Sequence, residues 1–239
     1  MTGSMPVALW AVPRSISTAF ERIFVERGDF TVFHEPFSAS YYYSIERRSD
    51  RFASEEPKEE YGYAKVLAQI LAPSEKPVFI KDMAYHVAGF TSPEFAATFR
   101  NTFIIREPRY VLASLHEMWP DFTFEEAGYE QLHRLFEHAL EAGQEPVVID
   151  ASDLSENPEG IVAAYCKKLG IPFMPASLSW EPREVPEWKM WDSWHQEAQK
   201  STGISKVSGK EVTLPEELEE VYHRCLPYYE ALYVERLRA

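Results

Sequence analysis

The segment that decides the fold reads Val7-Ala8-Leu9-Trp10-Ala11-Val12, Pro13-Arg14-Ser15-Ile16-Ser17-Thr18 and Ala19-Phe20-Glu21-Arg22-Ile23-Phe24. Its apolar run has the length of a buried strand, Pro13 ends that run, and a helical pattern begins at the Ser and Thr residues. This order predicts the first strand-loop-helix turn of a parallel sheet. The free backbone N–H groups and the dipole of the helix's first turn attract anions, and Arg14 adds a positive charge. The segment therefore predicts a loop that binds phosphate or sulfate.

Further apolar segments of strand length alternate with helical patterns along the chain. Strands are predicted at 7–12, 30–33, 77–82, 102–105 and 147–150. Helices are predicted at 17–27, 38–51, 63–71, 93–99, 110–119, 124–142, 158–169 and from 215 to the end. This alternation is typical of an α/β fold with a parallel central sheet and helices on both faces, as in P-loop nucleotide-binding proteins. We expect a single domain over 1–239, which the Trp- and Pro-rich segment 170–239 and its final helix complete.

The composition is that of a globular protein, and it excludes several classes of function. A net charge of −14 over 239 residues argues against a nucleic-acid partner, which normally requires a broad basic face. No apolar run has the length that a bilayer requires, and the first residues lack a signal-like core, so we expect no membrane partner and a cytoplasmic location. The two cysteines, Cys166 and Cys225, lack metal-ligand spacing and are expected to be buried free thiols.

Charged residues follow three of the predicted strands. His34 and Glu35 come after the second strand, Lys81 lies at the end of the third, and Arg106 follows the fourth. Ligands of open α/β sheets bind at this carboxyl edge, so these side chains are candidates for one site. Ser114, eight residues after Arg106, could help it to bind a second phosphate. The loop lacks the Gly-x-x-x-x-Gly-Lys-Ser/Thr pattern of magnesium-dependent nucleotide triphosphatases, which disfavours that class.

With these motifs the chain resembles the sulfotransferases that use 3'-phosphoadenosine-5'-phosphosulfate (PAPS). In that family a Pro-Lys/Arg-Ser-Gly-Thr/Ser-Thr loop holds the 5'-phosphosulfate, and the segment 13–18 is similar to it. An arginine at a strand end and a serine eight residues later hold the 3'-phosphate, as Arg106 and Ser114 would here. The resemblance covers 7–115 and reaches, with less similarity, the loop 201–206. It implies PAPS as cofactor, adenosine 3',5'-bisphosphate as its product, no required metal, and cofactor binding by Arg14, Ser15, Ile16, Ser17, Thr18, Arg106, Ser114, Ser201 and Lys206.

Two departures from the family's pattern bear on the mechanism. Ile16 replaces the usual glycine of the loop, so the loop must take a different path if that position requires a positive φ. In the cytosolic branch a catalytic histidine follows the strand lysine by two residues, and here Met83 occupies that place after Lys81. In the branch that includes the protein-tyrosine sulfotransferases, a glutamate after the second strand is the base, and Glu35 corresponds to it. Glu35 is therefore the first candidate for the general base and His34 the second.

Each assignment has a structural alternative. Glu35 could form an ion pair with Arg14, Lys81 could extend from the sheet edge, and Ser114 could serve only packing. Ser17 and Thr18 could only cap the helix. The stripe Trp188, Trp191 and Trp194 is expected in the core rather than around a ligand. His86, His116 and His195 show no partner in the sequence and are expected to have no chemical role, and Asp150 is expected to cap a helix rather than to hold magnesium.

The sequence thus predicts sulfuryl transfer from PAPS to a hydroxyl of a small-molecule acceptor. Glu35 would accept the acceptor's proton, while Arg14 and Lys81 would stabilise charge on the transferring group. A divergent P-loop kinase or other phosphotransferase, and a catalytically silent nucleotide-binding module, are the alternatives. The identity of the acceptor and the oligomeric state are not encoded in any motif that we identify.

Overall fold

The predicted strands form one parallel sheet in the computed structural model, which describes residues 5–207 and 212–239. The strands are β1 (Val7–Ala11), β2 (Thr31–His34), β3 (Val78–Met83), β4 (Arg100–Ile105) and β5 (Val147–Asp150). They lie in the order β2-β3-β1-β4-β5, and every neighbouring pair is parallel. The predicted α/β fold with a parallel sheet is confirmed. All carboxyl ends therefore meet at one edge, with β1 and its loop in the centre.

The helices follow the predicted alternation, with four differences. They are α1 (Ser17–Arg27), α2 (Ser38–Tyr43), α3 (Tyr63–Ile70), α4 (Pro93–Ala96), α5 (Pro108–Met118), α6 (Phe124–Ala127), α7 (Tyr129–Glu141), α8 (Ala151–Glu156), α9 (Pro158–Leu169), α10 (Asp192–Lys200) and α11 (Glu216–Val234). The helix predicted at 38–51 ends already at Tyr43, and neither α8 nor α10 was predicted. The helix predicted at 124–142 is interrupted at Gly128, which has a φ of 83°. A Cβ at Gly128 would lie 3.4 Å from Pro13 Cδ, so this interruption brings α6 and α7 against the anion loop.

Both faces of the sheet are buried, which explains the continuous apolar run of β1. Ala8 and Trp10 face one apolar cluster, formed with α3, α4, α5, α7 and α11. Leu9 and Ala11 face the other, formed with α1 and α9. Because alternate residues of a strand point to opposite faces, a strand covered on both sides needs apolar residues at every position. Helices therefore cover both faces, as expected.

The remaining sequence predictions about the fold concern the cysteines, Asp150 and membrane spans. Cys166 and Cys225 are buried free thiols, as expected. Asp150 caps α8, since its Oδ1 accepts from the backbone N–H groups of Ser152 at 2.9 Å and Asp153 at 3.4 Å. Among the helices of the described ranges, none is long and apolar enough to cross a membrane.

Candidate active site

The carboxyl edge of the sheet opens into a cavity of about 250 Å³. We call the loop residues 13–19 together with Arg106 the anion wall of this cavity. The aromatic wall consists of Tyr42, Tyr85, Trp119, Trp191 and Trp194. Glu35 also lines the cavity. A carboxylate, an anion-binding loop and a set of aromatic rings thus face the same space.

The loop keeps the backbone conformation that its usual glycine would favour. Ile16 has φ 58° and ψ 16°, in the left-handed region, and it forms the N-cap of α1. Arg14 is also left-handed, with a φ of 57°. Ser15 Oγ donates to the carbonyl of Val12 at 2.7 Å and so closes the turn. Ile16 thus adopts a positive φ itself, and the chain accepts strain of about 1–3 kcal/mol at such a residue.

Hydrogen bonds join the two predicted anion-binding motifs. Arg14 Nε donates to Ser114 Oγ at 2.9 Å, and Arg106 Nη1 donates to the carbonyl of Arg14 at 2.7 Å. Tyr129 fixes the strand end, because its hydroxyl donates to the carbonyl of Arg106 at 2.7 Å. The contact between Arg14 and Ser114, which lie 100 positions apart, has no signal in the sequence. It brings a guanidinium of the first motif to the serine of the second.

Within the described ranges, neither the guanidinium of Arg14 nor that of Arg106 forms a salt bridge with a carboxylate. The carboxylates of Glu117 and Glu197 attract Arg14, and that of Asp150 attracts Arg106, only at longer range. Burial lowers the pKa of both side chains, and the charge of Arg14 lowers that of Arg106 further. Two partly buried cations held side by side are unfavourable unless an anion neutralises them. The anion wall is therefore suited to a multiply charged anion.

Glu35 pairs with Lys81 and not with Arg14. Lys81 Nζ donates to Glu35 Oε1, and the Glu35 backbone N–H donates to the carbonyl of Lys81 at 2.7 Å. Glu35 is left-handed, with a φ of 44°, and its carbonyl accepts from Ser38 Oγ at 2.7 Å. Burial alone would raise the pKa of Glu35, but the nearby charges, led by Lys81 and His34, outweigh it and lower that pKa. Glu35 is therefore an ionised carboxylate in a buried position.

His34 and His195 belong to one hydrogen-bonded network. His34 Nδ1 lies 2.6 Å from Glu21 Oε2, and His34 Nε2 lies 2.8 Å from His195 Nε2. His195 Nδ1 is 3.4 Å from Thr18 Oγ1 in the anion loop. The sequence shows no partner for His195, because a contact across 161 positions leaves no local pattern. Burial, followed by the charges of His34 and Lys81, lowers the pKa of His195 to about 3.

The donor atoms of His34, Glu35 and His195 lie within 4.8 Å of one another, a spacing that metal ligands can also have. Their surroundings fit a hydrogen-bonded network better. The two ring nitrogens are at hydrogen-bond distance, and the ammonium of Lys81 already holds a Glu35 oxygen. A divalent ion at this point would be repelled by that ammonium. The residues that fit a ligand are those of the anion wall.

A model of the sulfotransferase domain matches residues 5–236 of the chain. The chain belongs to the sulfotransferase family. Solved structures with a similar fold include the sulfotransferase domain from the curacin biosynthetic pathway, at a TM-score of 0.54 and 14% identity, covering 100% of this chain and 99% of that one. The sulfotransferase domain from the Synechococcus PCC 7002 olefin synthase is similar at a TM-score of 0.53 and 16% identity, with 96% of each chain covered. These low identities support the fold alone.

A curated relative carries a name from another enzyme class. Branched-chain-amino-acid aminotransferase-like protein 2 of Arabidopsis thaliana is 31% identical over 229 residues, which are 93% of this chain. The chain spans 40% of the length of that relative. The name therefore describes a longer protein, of which 40% matches this chain.

Of the two residues that the family resemblance suggested in the loop 201–206, one reaches the cavity. Ser201 lines it, but its hydroxyl donates to the carbonyl of Ala198 at 2.7 Å and accepts from Trp180 Nε1 at 3.1 Å. Lys206 is exposed and is not among the described residues that line the cavity. The loop thus contributes shape, and Lys206 lies outside the site in this structure.

The tryptophan stripe divides between the core and the cavity of this sulfotransferase-family chain. Trp188 is fully buried, as expected, and its Nε1 donates to Glu21 Oε1 at 2.9 Å. Trp191 and Trp194 line the cavity instead, and Trp194 packs edge-to-face on Trp119 with ring centroids 4.5 Å apart. The expectation of core packing was therefore wrong for these two residues. Their half-buried rings remain available to a ligand.

Asp82 and His86 form a second buried pair, which anchors the segment after β2. Asp82 Oδ1 lies 2.7 Å from His86 Nδ1, and its Oδ2 accepts from the backbone N–H of Phe37 at 2.7 Å. Burial raises the pKa of Asp82. His86 thus has a buried partner that the sequence does not reveal, whereas His116 makes a half-exposed contact with Glu217 at 3.5 Å. The sequence shows no sign of the pairing with Asp82 beyond the i,i+4 spacing.

Proposed function

We propose that the chain transfers a sulfuryl group from PAPS to a hydroxyl of a small-molecule acceptor, with Glu35 as the general base. The observation that carries the proposal is the anion wall, where no carboxylate of the described residues forms a salt bridge with the guanidinium of Arg14 or Arg106. An ionised Glu35 lines the same cavity. The family match favours sulfuryl transfer over the phosphotransferase alternative.

The residues of the anion wall fit the two anionic ends of PAPS. The loop 13–18 offers backbone N–H groups at the start of α1 to the 5'-phosphosulfate, and Thr18 adds a hydroxyl. Arg106 and Ser114 offer charge-assisted hydrogen bonds to the 3'-phosphate, and Arg14, held at Ser114, stands beside them. PAPS would supply the sulfuryl group and a leaving group that departs as adenosine 3',5'-bisphosphate. Two anionic ends account for two separate cationic motifs.

Glu35 has the position and charge of a base. Its carboxylate is ionised, and Lys81 holds it in place, so it can accept the proton of an acceptor hydroxyl. If the ammonium of Lys81 turned toward an anion in the loop, its contact with Glu35 would weaken and the basicity of that carboxylate would rise. His34, the alternative base, has both ring nitrogens engaged by Glu21 and His195, which supports Glu35.

The acceptor would bind against the aromatic wall. Its rings offer apolar and stacking contacts to an aromatic or apolar alcohol. Glu126 also lines the cavity, but Arg51 neutralises it through two hydrogen bonds of 2.8 and 3.0 Å. The wall is thus apolar with little net charge. A cytoplasmic location, one domain over 1–239 and a reaction without a required metal remain predictions from the sequence.

Calorimetric titration with adenosine 3',5'-bisphosphate tests the proposal. We expect binding by the folded wild-type protein, and transfer from PAPS to at least one member of a panel of phenols and apolar alcohols. An intact protein that does not bind the bisphosphate would overturn the proposal. Thermal stabilisation by ATP and magnesium, absent with the bisphosphate, would favour a kinase, and binding without transfer to any acceptor would favour a silent module.

A further inference from the structure

A buried chain of hydrogen bonds connects Glu21 to the anion loop. Its links are Glu21 Oε2 to His34 Nδ1 at 2.6 Å, His34 Nε2 to His195 Nε2 at 2.8 Å, and His195 Nδ1 to Thr18 Oγ1 at 3.4 Å. The side chains of Glu21 and His34 are 0% and 1% exposed. Since solvent is excluded from the link between Glu21 and His34, the location of each proton in this network depends on the groups that form it and on the charges nearby.

The chemistry of the groups leaves two arrangements of these protons. A carboxylate only accepts, and Trp188 already donates to the other oxygen of Glu21, so His34 Nδ1 carries a proton. The two Nε2 atoms share one proton. If His34 donates it, a neutral His195 has its proton on Nδ1 and donates to Thr18. If His195 donates it, Nδ1 is a lone pair and Thr18 must donate to it.

These two arrangements differ in what Thr18 offers to the cavity. In the first, Thr18 Oγ1 accepts from His195, so its own proton is free to donate to an anion in the loop. In the second, the hydroxyl presents only lone pairs there, which repel an anion. Carboxylates next to both ring nitrogens of His34 favour the first arrangement, in which both of these nitrogens donate. Glu21 touches one nitrogen and Glu35 Oε1 lies 3.6 Å from the other, against the positive charges of Lys81 and Arg14.

We propose that His195 is a positioning residue for the sulfuryl donor: together with Glu21 and His34 it orients the Thr18 hydroxyl as a hydrogen-bond donor to the anion in the loop. This inference rests on the proposed function for the identity of that anion. It makes α10 part of the donor site, although α10 lies about 180 positions after the loop. It also gives His34 a role other than that of a base. The low pKa of His195 agrees with a neutral ring between His34 and Thr18.

A double-mutant cycle tests the coupling between His195 and Thr18. Thr18→Val removes the hydroxyl, and His195→Phe keeps a ring of similar size without its nitrogens. Since both changes remove the same hydrogen bond to the anion, we expect each to weaken the binding of adenosine 3',5'-bisphosphate about tenfold, and the double variant to lose no more than about tenfold. Multiplied losses of about a hundredfold, or an unchanged affinity in His195→Phe, would overturn the inference.

Imidazole nitrogen NMR on the wild-type protein gives a readout that a merely structural contact would not move. In the bisphosphate complex we expect a doubly protonated His34 and a neutral His195 with its proton on Nδ1. A proton on His195 Nε2 would contradict the proposal. Glu21→Gln preserves the side-chain volume and removes the charge next to His34, so it should shift His195 toward the second arrangement and weaken the binding of the bisphosphate. This variant tests the proposal even if His195→Phe does not fold. His138→Phe, in the last turn of α7 and not among the described residues that line the cavity, is the matched control and should bind as wild type.

The double-mutant cycle distinguishes a failure of the role assigned to His195 from a failure of the proposed function. If the wild-type protein does not bind the bisphosphate, the proposed function fails, and the role assigned to the Thr18 hydroxyl fails with it. If the wild-type protein binds it and the Thr18 and His195 losses multiply, only the role of His195 fails. Thermal unfolding of each variant, compared with that of His138→Phe, shows whether a loss of affinity comes from a loss of folded protein.

Discussion

The anion wall and the aromatic wall face one cavity but are built in different ways. The anion wall comes from the loop after β1 and from Arg106 after β4, and the pairing of Ala11 with both Met83 and Ile104 fixes these strand ends. The aromatic wall comes from α2, from the ends of β3 and α5, and from the segment around α10. Strand register thus determines where an anion can bind, whereas short and separate segments determine what binds opposite it. Substitutions in the two walls should accordingly affect different steps.

The largest effect is expected at Glu35, which lies next to the carboxyl ends that build the anion wall. Glu35→Gln should lower turnover by about 10²–10⁴-fold, because the base is lost while the shape is kept. Binding of adenosine 3',5'-bisphosphate should change by less than about threefold, since this charge faces the acceptor's proton. Steady-state kinetics with PAPS and calorimetry provide the two measurements. Glu137→Gln on α7 is the control, and retained turnover in Glu35→Gln would assign the base to another group.

Lys81 should control stability as well as the base. Lys81→Met removes the ammonium and leaves the buried carboxylate of Glu35 unpaired, so we expect unfolding free energy to fall by about 3 kcal/mol. Chemical denaturation measures this loss. The double variant Lys81→Met with Glu35→Gln, which buries no unpaired charge, should recover most of it. A single variant as stable as the wild type would show that the pair is not buried in solution.

The pH dependence of stability follows from the same pair. The pKa of Glu35 is lowered in the folded protein, so its contribution is present above the unfolded carboxyl value of about 4.3 and is lost as the pH falls below it. Lys81→Met removes the charge that lowers the pKa of Glu35 most. The loss of stability as the pH falls from 5 to about one or two units lower should therefore be shallower in this variant than in wild type. A parallel pH profile for both proteins would contradict this assignment.

Arg106 should matter for one end of the donor only. Arg106→Ala should weaken the binding of adenosine 3',5'-bisphosphate by about 10–100-fold, as expected for a charge-assisted hydrogen bond. The binding of adenosine 5'-phosphate should weaken much less. Calorimetry with both nucleotides measures the difference. Arg109→Ala is the matched control, because Arg109 lies three residues later and contacts Glu219 at 3.4 Å. Equal losses for both nucleotides would remove the 3'-phosphate assignment.

The anion wall could be predicted from sequence because each of its parts lies at a strand end. An apolar run followed by a polar loop, and an arginine after a later strand, are local patterns, and parallel pairing brings them together. The partners within the site could not be predicted. Arg14 meets Ser114, and His34 meets His195, through folds of the chain that leave no periodic trace. Sequence patterns show which element a residue belongs to, whereas side-chain contacts depend on how the elements pack.

In the aromatic wall, the sequence also left open which residues lie in the core and where a helix is interrupted. The stripe of tryptophans has a spacing that fits both a core and a cavity, and only packing decides that Trp188 is buried while Trp194 lines the cavity. The predicted helix at 124–142 failed for a related reason. A single glycine inside a helical pattern is tolerated in many helices, but Gly128 must turn next to Pro13. Both errors lie where the cavity interrupts regular structure.

A substitution in the aromatic wall should change acceptor binding and leave donor binding intact. Trp194→Leu removes the ring that packs on Trp119, so the KM for a phenol acceptor should rise about two- to tenfold, as expected for one aromatic contact. The affinity for adenosine 3',5'-bisphosphate should stay within about twofold. If the bisphosphate affinity falls as much as the acceptor KM rises, the two walls do not act separately.

The smallest effect is expected at Ile16, where the anion wall stores backbone strain. Ile16→Ala and Ile16→Gly both remove the side chain, but only glycine accepts the φ of 58° at no steric cost. We therefore expect the glycine variant to be more stable than the alanine variant by about 1 kcal/mol, measured by chemical denaturation. The opposite order is expected at Ala19 in the same helix, where Ala19→Gly should destabilise by about 1 kcal/mol. If the alanine variant is as stable as the glycine variant, the loop must relax out of the left-handed conformation. The bisphosphate affinities of the two variants would then show whether anion binding depends on that conformation.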